Sequence, residues 1–217
     1  MSNNEPALKE YTKEFDSKFQ VIEQQYSEPY SWPEMDTLRY EICGCLSFGL
    51  NQAAITLTNH LLESLLKYAL SYKYSLDNSA EIDAGSELVE AMMKFTDEGF
   101  NKYGDKNLCS NINEARKIEL ITESEHELLH AFRVKFRNPF GHSDKAKTFG
   151  DLSSQVFGAV IENNKLVSRP SIEAEIARLP IMHGLVQAQI AEIEAPEYFI
   201  AMDSLVRVIK MRVFPNA

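Results

Sequence analysis

The chain has 217 residues, of which 44% are hydrophobic and 25% charged, with a formal net charge of -10 at pH 7. That length and balance suit one soluble domain, 1-217, with a real core, and the acidic charge argues against a broadly basic nucleic-acid binder. No uncharged run approaches the roughly 20 apolar residues of a membrane span, and the start, MSNNEPALKEY, carries neither a basic nor an apolar signal region, so a cytoplasmic protein without membrane attachment is expected.

Residues 5 to 27 predict a charged, exposed first helix that ends before Pro29. SEPYSWP then reads as a turn, with Trp32 anchored against the body. From Glu34 to about Lys73 the apolar residues cover most of a helical circumference, which predicts one long buried helix, bent near Gly44 and Gly49. Cys43 and Cys45 on it, and Cys109 further on, form a sparse odd set that fits reduced thiols better than a disulfide frame or zinc knuckle. One narrow polar line runs along this helix. Gln52, Thr56, Asn59 and Glu63 fall within about 60° of each other on a 100° wheel. The line is either a solvent edge or a polar seam in which Glu63 holds a guanidinium.

Helices are predicted at 80-103 and 111-118, separated by the turn-rich YGDKNLCSN. Thr122 and Glu125 have the spacing of a capping box, opening a helix that Pro139 stops near Asn138. This helix carries His126-Glu127-Leu-Leu-His130, a literal HExxH, in which two histidines one turn apart can bind zinc and the glutamate can activate water. On the wheel, Ile118, Ile121, Leu128, Leu129, Phe132 and Phe136 share one face, and His126, His130, Arg133 and Arg137 share a flank. Two guanidiniums about 7 to 10 Å from a dication cost on the order of 4 kcal/mol each at an effective dielectric of 20. No third ligand stands at a zinc-protease spacing, so the zinc-peptidase reading ranks last, and the histidines are expected to line an RNA groove or face water.

The helix ends in FRNPFGHSD, where Arg137 and Asn138 are followed by three spacers and His142. A permanent cation, an amide and a neutral-range acid/base then lie within one bend, a minimal kit for cleaving RNA without metal. The breaker between them matters, because a continuous helix would rotate residues five apart away from one another. Eight arginines and five histidines predict roughly 0.2 such Arg-x4-His pairs by chance. In a second pair, Arg178 and His183, an apolar residue follows the arginine and a proline interrupts the helix, so it is read as coincidence. Around the first, Arg133, Lys135, Arg137, Lys145 and Lys147 face one acid, Asp144, making a focal cationic spot on an acidic chain. RNA binding there would be salt-sensitive. Beyond it, residues 156-168 predict a small hairpin around Asn163-Asn164, and helices resume at 171-194 and 196-213. The expected fold is all-α with that one hairpin.

The long apolar helix EICGCLSFGLNQAAITLTNHLLESLLKYAL, the capped helix ITESEHELLHAFRVKFRNP and the RN-x3-H motif together resemble the HEPN superfamily, over roughly residues 34-145. The resemblance implies an antiparallel helical bundle, here with an extra N-terminal helix and a helical extension over 146-217. It further implies a metal-independent endoribonuclease, without cofactor, acting as a homodimer in which two motifs meet. Arg137, Asn138 and His142 would be the catalytic set: His142 as general acid or base, Arg137 stabilising the charge on the phosphorane, Asn138 orienting them. Arg133, Lys135, Lys145, Lys147, His130 and Glu63 would bind RNA or support the motif. Attack by the ribose 2′-hydroxyl would leave a 2′,3′-cyclic phosphate and would spare DNA. Such nucleases often serve as toxins or phage-defence effectors held by an antitoxin or another complex partner. A noncatalytic HEPN interaction or dimerisation subunit is the runner-up.

Overall fold

In a computed structural model the described residues are 5-79, 86-137, the four strands 153-156, 159-162, 165-168 and 172-175, and 180-215. Among the described residues seven α-helices make up the body. They are α1 (Glu5–Ser27), α2 (Pro33–Ser47), α3 (Asn51–Ser79), α4 (Ser86–Tyr103), α5 (Leu108–Lys117), α6 (Glu123–Phe132) and α7 (Pro180–Val213). A π-helical turn, Arg133–Arg137, follows α6 directly. The fold is thus all-helical in its body, as expected, and none of the described helices is long and apolar enough to cross a membrane.

The first helix spans the residues its pattern predicts, and its end is secured by charge. Arg39 of α2 donates from Nη1 to the α1 carbonyls of Gln25 and Tyr26, while Asp36 accepts from Arg39 Nε and from the Tyr30 and Trp32 amides. Those α1 carbonyls lack intrahelical donors, so the guanidinium satisfies groups that would otherwise be orphaned. Trp32 is 3% exposed and packs edge-on against Phe214, so the anchor expected of it is present.

The expected 34-73 helix is two helices. The chain breaks at Phe48-Gly49-Leu50, where Gly49 has φ +70°, a conformation that costs a residue with Cβ but not glycine. Gly44, the other anticipated bend, lies inside α2. α3 then runs to Ser79 and is the central element, packed against α2, α4, α5, α7 and the π turn. Ile55, Leu61, Leu62, Leu65, Leu66 and Leu70 on it are fully buried. α4 approaches α3 so closely that a Cβ at Gly99 would sit 2.8 Å from the Ser71 carbonyl oxygen. Any side chain there would push the pair apart.

Three further boundaries differ from the sequence reading. α5 starts at Leu108, inside the stretch read as a turn, because Asn107 caps it by accepting from the Ser110 amide. Between the π turn and α7, β2 (Ala159–Glu162) pairs antiparallel with β3 (Lys165–Ser168), with Asn163-Asn164 between them, as the hairpin reading anticipated. A second ladder, β1 (Ser153–Val156) with β4 (Ile172–Glu175), flanks it in sequence and was not anticipated. β4 occupies the beginning of the expected 171-194 helix. Apart from Ile172 its residues, IEAE, do not favour strands, so pairing with β1 overrides local propensity. Finally, the expected separate helices 171-194 and 196-213 are one, since α7 passes through Pro196. An interior proline costs about 3 kcal/mol. Burial of Ala195, Tyr198, Phe199, Met202, Val206 and Ile209 next to it supplies the opposing free energy.

Candidate functional site

The candidate site is built where the π turn crosses α3. Thr122 and Glu125 form the expected capping box, so α6 starts firmly, with the Thr122 hydroxyl accepting from the Glu125 amide and the Glu125 carboxylate accepting from the Thr122 amide. Ten residues later the helix widens into the π turn, which carries Arg133, Lys135, Phe136 and Arg137. Turns of this kind occur frequently at functional sites.

Two residues of the polar line on α3 hold this turn in place. Glu63 Oε1 accepts from Arg137 Nε at 2.9 Å, and Asn59 Nδ2 donates to the Phe136 carbonyl at 3.4 Å. Asn59 is buried, and its Oδ1 accepts from the Tyr198 hydroxyl of α7 at 3.0 Å. The Phe136 ring stacks on the Tyr198 ring, with centroids 4.1 Å apart. The other half of the line does not share this seam. Thr56 is exposed and donates to the carbonyl of Gln52 in its own helix, and Gln52 is exposed as well. The line is therefore a seam at Asn59 and Glu63 and a solvent edge at Gln52 and Thr56.

Arg133 and Arg137 line one cavity of about 270 Å³ together with Asn107, Leu108 and Cys109 of the α5 start. Arg133 forms no ion pair among the described residues, and its Nε is buried without a hydrogen-bond partner. Lys135, expected to meet RNA, is paired at 2.6 Å with Glu194 of α7 and lies over the Phe136 ring. Leu128, placed on the buried face by the helical wheel, is 38% exposed, whereas Leu129 and Phe136 are buried as expected. Asn138, His142, Lys145 and Lys147 lie outside the described residues, as does Arg178.

The HExxH residues are organised around a partner that the sequence did not reveal. Nε2 of His126 and of His130 lie 2.9 and 3.1 Å from one oxygen, Oδ1 of Asn113 on α5. An amide oxygen accepts, so both rings donate from Nε2 in these bonds. Burial, then the neighbouring His126 and Arg133, push the His130 pKa below its ordinary value, which keeps that ring neutral at pH 7. Glu127 is exposed, and no group of three or more His, Cys, Asp or Glu side chains able to hold a metal occurs among the described residues. The pair thus clamps α6 to α5 through Asn113, and the zinc-peptidase reading gains no third ligand. Asn113 had no signal of its own in the sequence, since an exposed asparagine on a short helix reads as surface.

Comparison with protein-family models, with curated proteins and with solved structures finds no match for this chain.

Proposed function

We propose that the protein is a metal-independent endoribonuclease of the HEPN type, with Arg137, Asn138 and His142 as its catalytic set. The observation that carries this reading is the Glu63–Arg137 pair: the first residue of the RN-x3-H motif is oriented across 74 positions of sequence by a carboxylate of the central helix. A charge-assisted bond at Nε fixes the plane of the guanidinium, which also carries Nη donors. Those donors suit the equatorial oxygens of a phosphorane.

In this mechanism His142 takes the proton of the ribose 2′-hydroxyl or returns one to the leaving 5′-oxygen, and Asn138 orients the reacting groups by hydrogen bonding. The 2′-oxygen attacks phosphorus, the bond to the 5′-oxygen breaks, and the products end in a 2′,3′-cyclic phosphate and a 5′-hydroxyl. A homodimer that joins two motifs, and restraint by an antitoxin or defence partner, belong to the same reading. The test is cleavage of a labelled single-stranded RNA by purified protein in EDTA beside Arg137→Ala and His142→Ala. The reading requires cleavage by the parent and its loss in both variants. Equal cleavage by all three proteins would show that the motif is not the catalyst. No cleavage by the parent would favour the noncatalytic interaction subunit.

A further inference from the structure

The cavity between the π turn and the start of α5 has an unusual balance for a protein of net charge -10. Among the described residues it is lined by two guanidiniums and no carboxylate. Glu63, the acid that neutralises one of them, bonds Arg137 and does not line the cavity. Arg133 lies one turn before Arg137 and has no compensating acid among the described residues, and its Nε is a buried donor with nothing to donate to. A buried donor without a partner is costly, and an anionic ligand is one group that would satisfy it.

The opposite wall supplies donors as well. Leu108 and Cys109 are the first two residues of α5, whose amides have no acceptor within the helix, and the cap bond of Asn107 serves only the third, Ser110. Two guanidiniums and the N-terminal residues of a helix thus border one space. About 270 Å³ is ample, since a single water needs only about 10–15 Å³ of such volume. The chemistry complementary to it is a tetrahedral oxyanion.

We propose that this cavity is a phosphate-binding subsite in which Arg133 is the principal ligand. Its occupant is a backbone phosphate of single-stranded RNA next to the one Arg137 would stabilise, an assignment that rests on the ribonuclease reading. Arg133 is then a positioning residue for the RNA chain and takes no part in bond breaking.

Cys109 provides a reporter on the cavity wall. It is half-buried, and Cys45 on α2, which is also half-buried but does not line the cavity, is an internal control. Alkylation of the full-length protein by iodoacetamide would be followed by peptide mass spectrometry at constant ionic strength, with inorganic phosphate replacing chloride. Phosphate is expected to slow Cys109 several-fold, to leave Cys45 unchanged, and to lose this effect in Arg133→Ala. Equal Cys109 rates in phosphate and chloride, or full protection in a folded Arg133→Ala protein, would overturn the subsite. The parent comparison decides the matter even if the variant does not fold.

Two further probes identify the source of the phosphate. A 2′-O-methyl RNA oligonucleotide, which cannot be cut, should protect Cys109 at concentrations where adenosine monophosphate does not. Equal protection by the mononucleotide would overturn the RNA assignment. Because neither probe requires cleavage, protection by the oligonucleotide in a protein that cuts nothing would refute the ribonuclease reading alone.

Discussion

Glu63 on α3 and Arg137 at the end of the π turn meet at 2.9 Å, each with about a third of its side chain exposed. A pair that exposed contributes only about 0–1 kcal/mol to stability. Its value under the proposed mechanism is orientation. Glu63→Gln and Glu63→Ala are therefore expected to keep the parent melting temperature to within a few degrees while RNA cleavage falls by roughly 10²-fold, the scale of loss from a misplaced reacting group. Unchanged cleavage in Glu63→Ala would show that the carboxylate does not orient the motif.

Asn59 should behave in the opposite way. It is buried and joins Phe136 of the π turn to Tyr198 of α7. Removing its amide with Asn59→Ala leaves the Tyr198 hydroxyl without an acceptor, at a cost of about 1–3 kcal/mol. Tyr198→Phe removes the donor in the same bond and is expected to cost about 1 kcal/mol. In a double-mutant cycle by urea unfolding the two losses should be less than additive, since they share one bond. Strict additivity would mean that the Asn59–Tyr198 bond contributes nothing.

Glu125 links local and tertiary structure. Its carboxylate completes the capping box of α6 and also accepts both Nη donors of Arg212, at 2.6 and 3.0 Å, near the end of α7. Burial pushes its pKa up, but the bonds from Arg212 and Thr122 outweigh burial and hold it below the ordinary value. A carboxylate depressed in the folded state contributes stability that is present above its unfolded pKa, near 4.3, and lost as pH falls through the folded value. Urea midpoints of the parent should decline over that acid range, and Glu125→Gln should flatten the decline. An identical slope in the variant would contradict the assignment.

His130 gives a second pH dependence at higher pH. Its folded pKa is depressed by burial and by His126 and Arg133, so below the ordinary histidine value near 6.5 the unfolded chain binds the proton more readily. Stability from the neutral ring is then complete above about pH 6.5 and falls as pH drops from there toward the folded pKa. Asn113→Ala removes the acceptor shared by His126 and His130, and is expected to destabilise the protein by about 1 kcal/mol at pH 7.5. Unfolding at pH 7.5 and 5.5 with His130→Gln as control measures both effects.

What the sequence made legible was local. The limits of α1, the Thr122–Glu125 capping box, the hairpin about Asn163-Asn164 and the anchoring of Trp32 each follow from neighbouring residue types. Glu63 was legible as a partner for a guanidinium because its helical phase put it on a polar line beside Asn59. The misses depended on tertiary context. The break at Gly49 and the passage of α7 through Pro196 are choices between conformations that the local sequence permits, decided by packing on α3. β4 exists through its partner strand. The cavity residues Asn107 and Cys109 come from a different helix than Arg133, and no periodicity connects them.

The most direct test of the central claim is to map the ends of RNA fragments made by the purified protein in EDTA, with total RNA and tRNA as substrates and His142→Ala alongside. The HEPN mechanism requires 2′,3′-cyclic phosphates and 5′-hydroxyls from the parent, none from the variant, and intact DNA under the same conditions. Fragments with 3′-hydroxyl and 5′-phosphate ends, or cyclic-phosphate fragments from both proteins in equal amount, would contradict it.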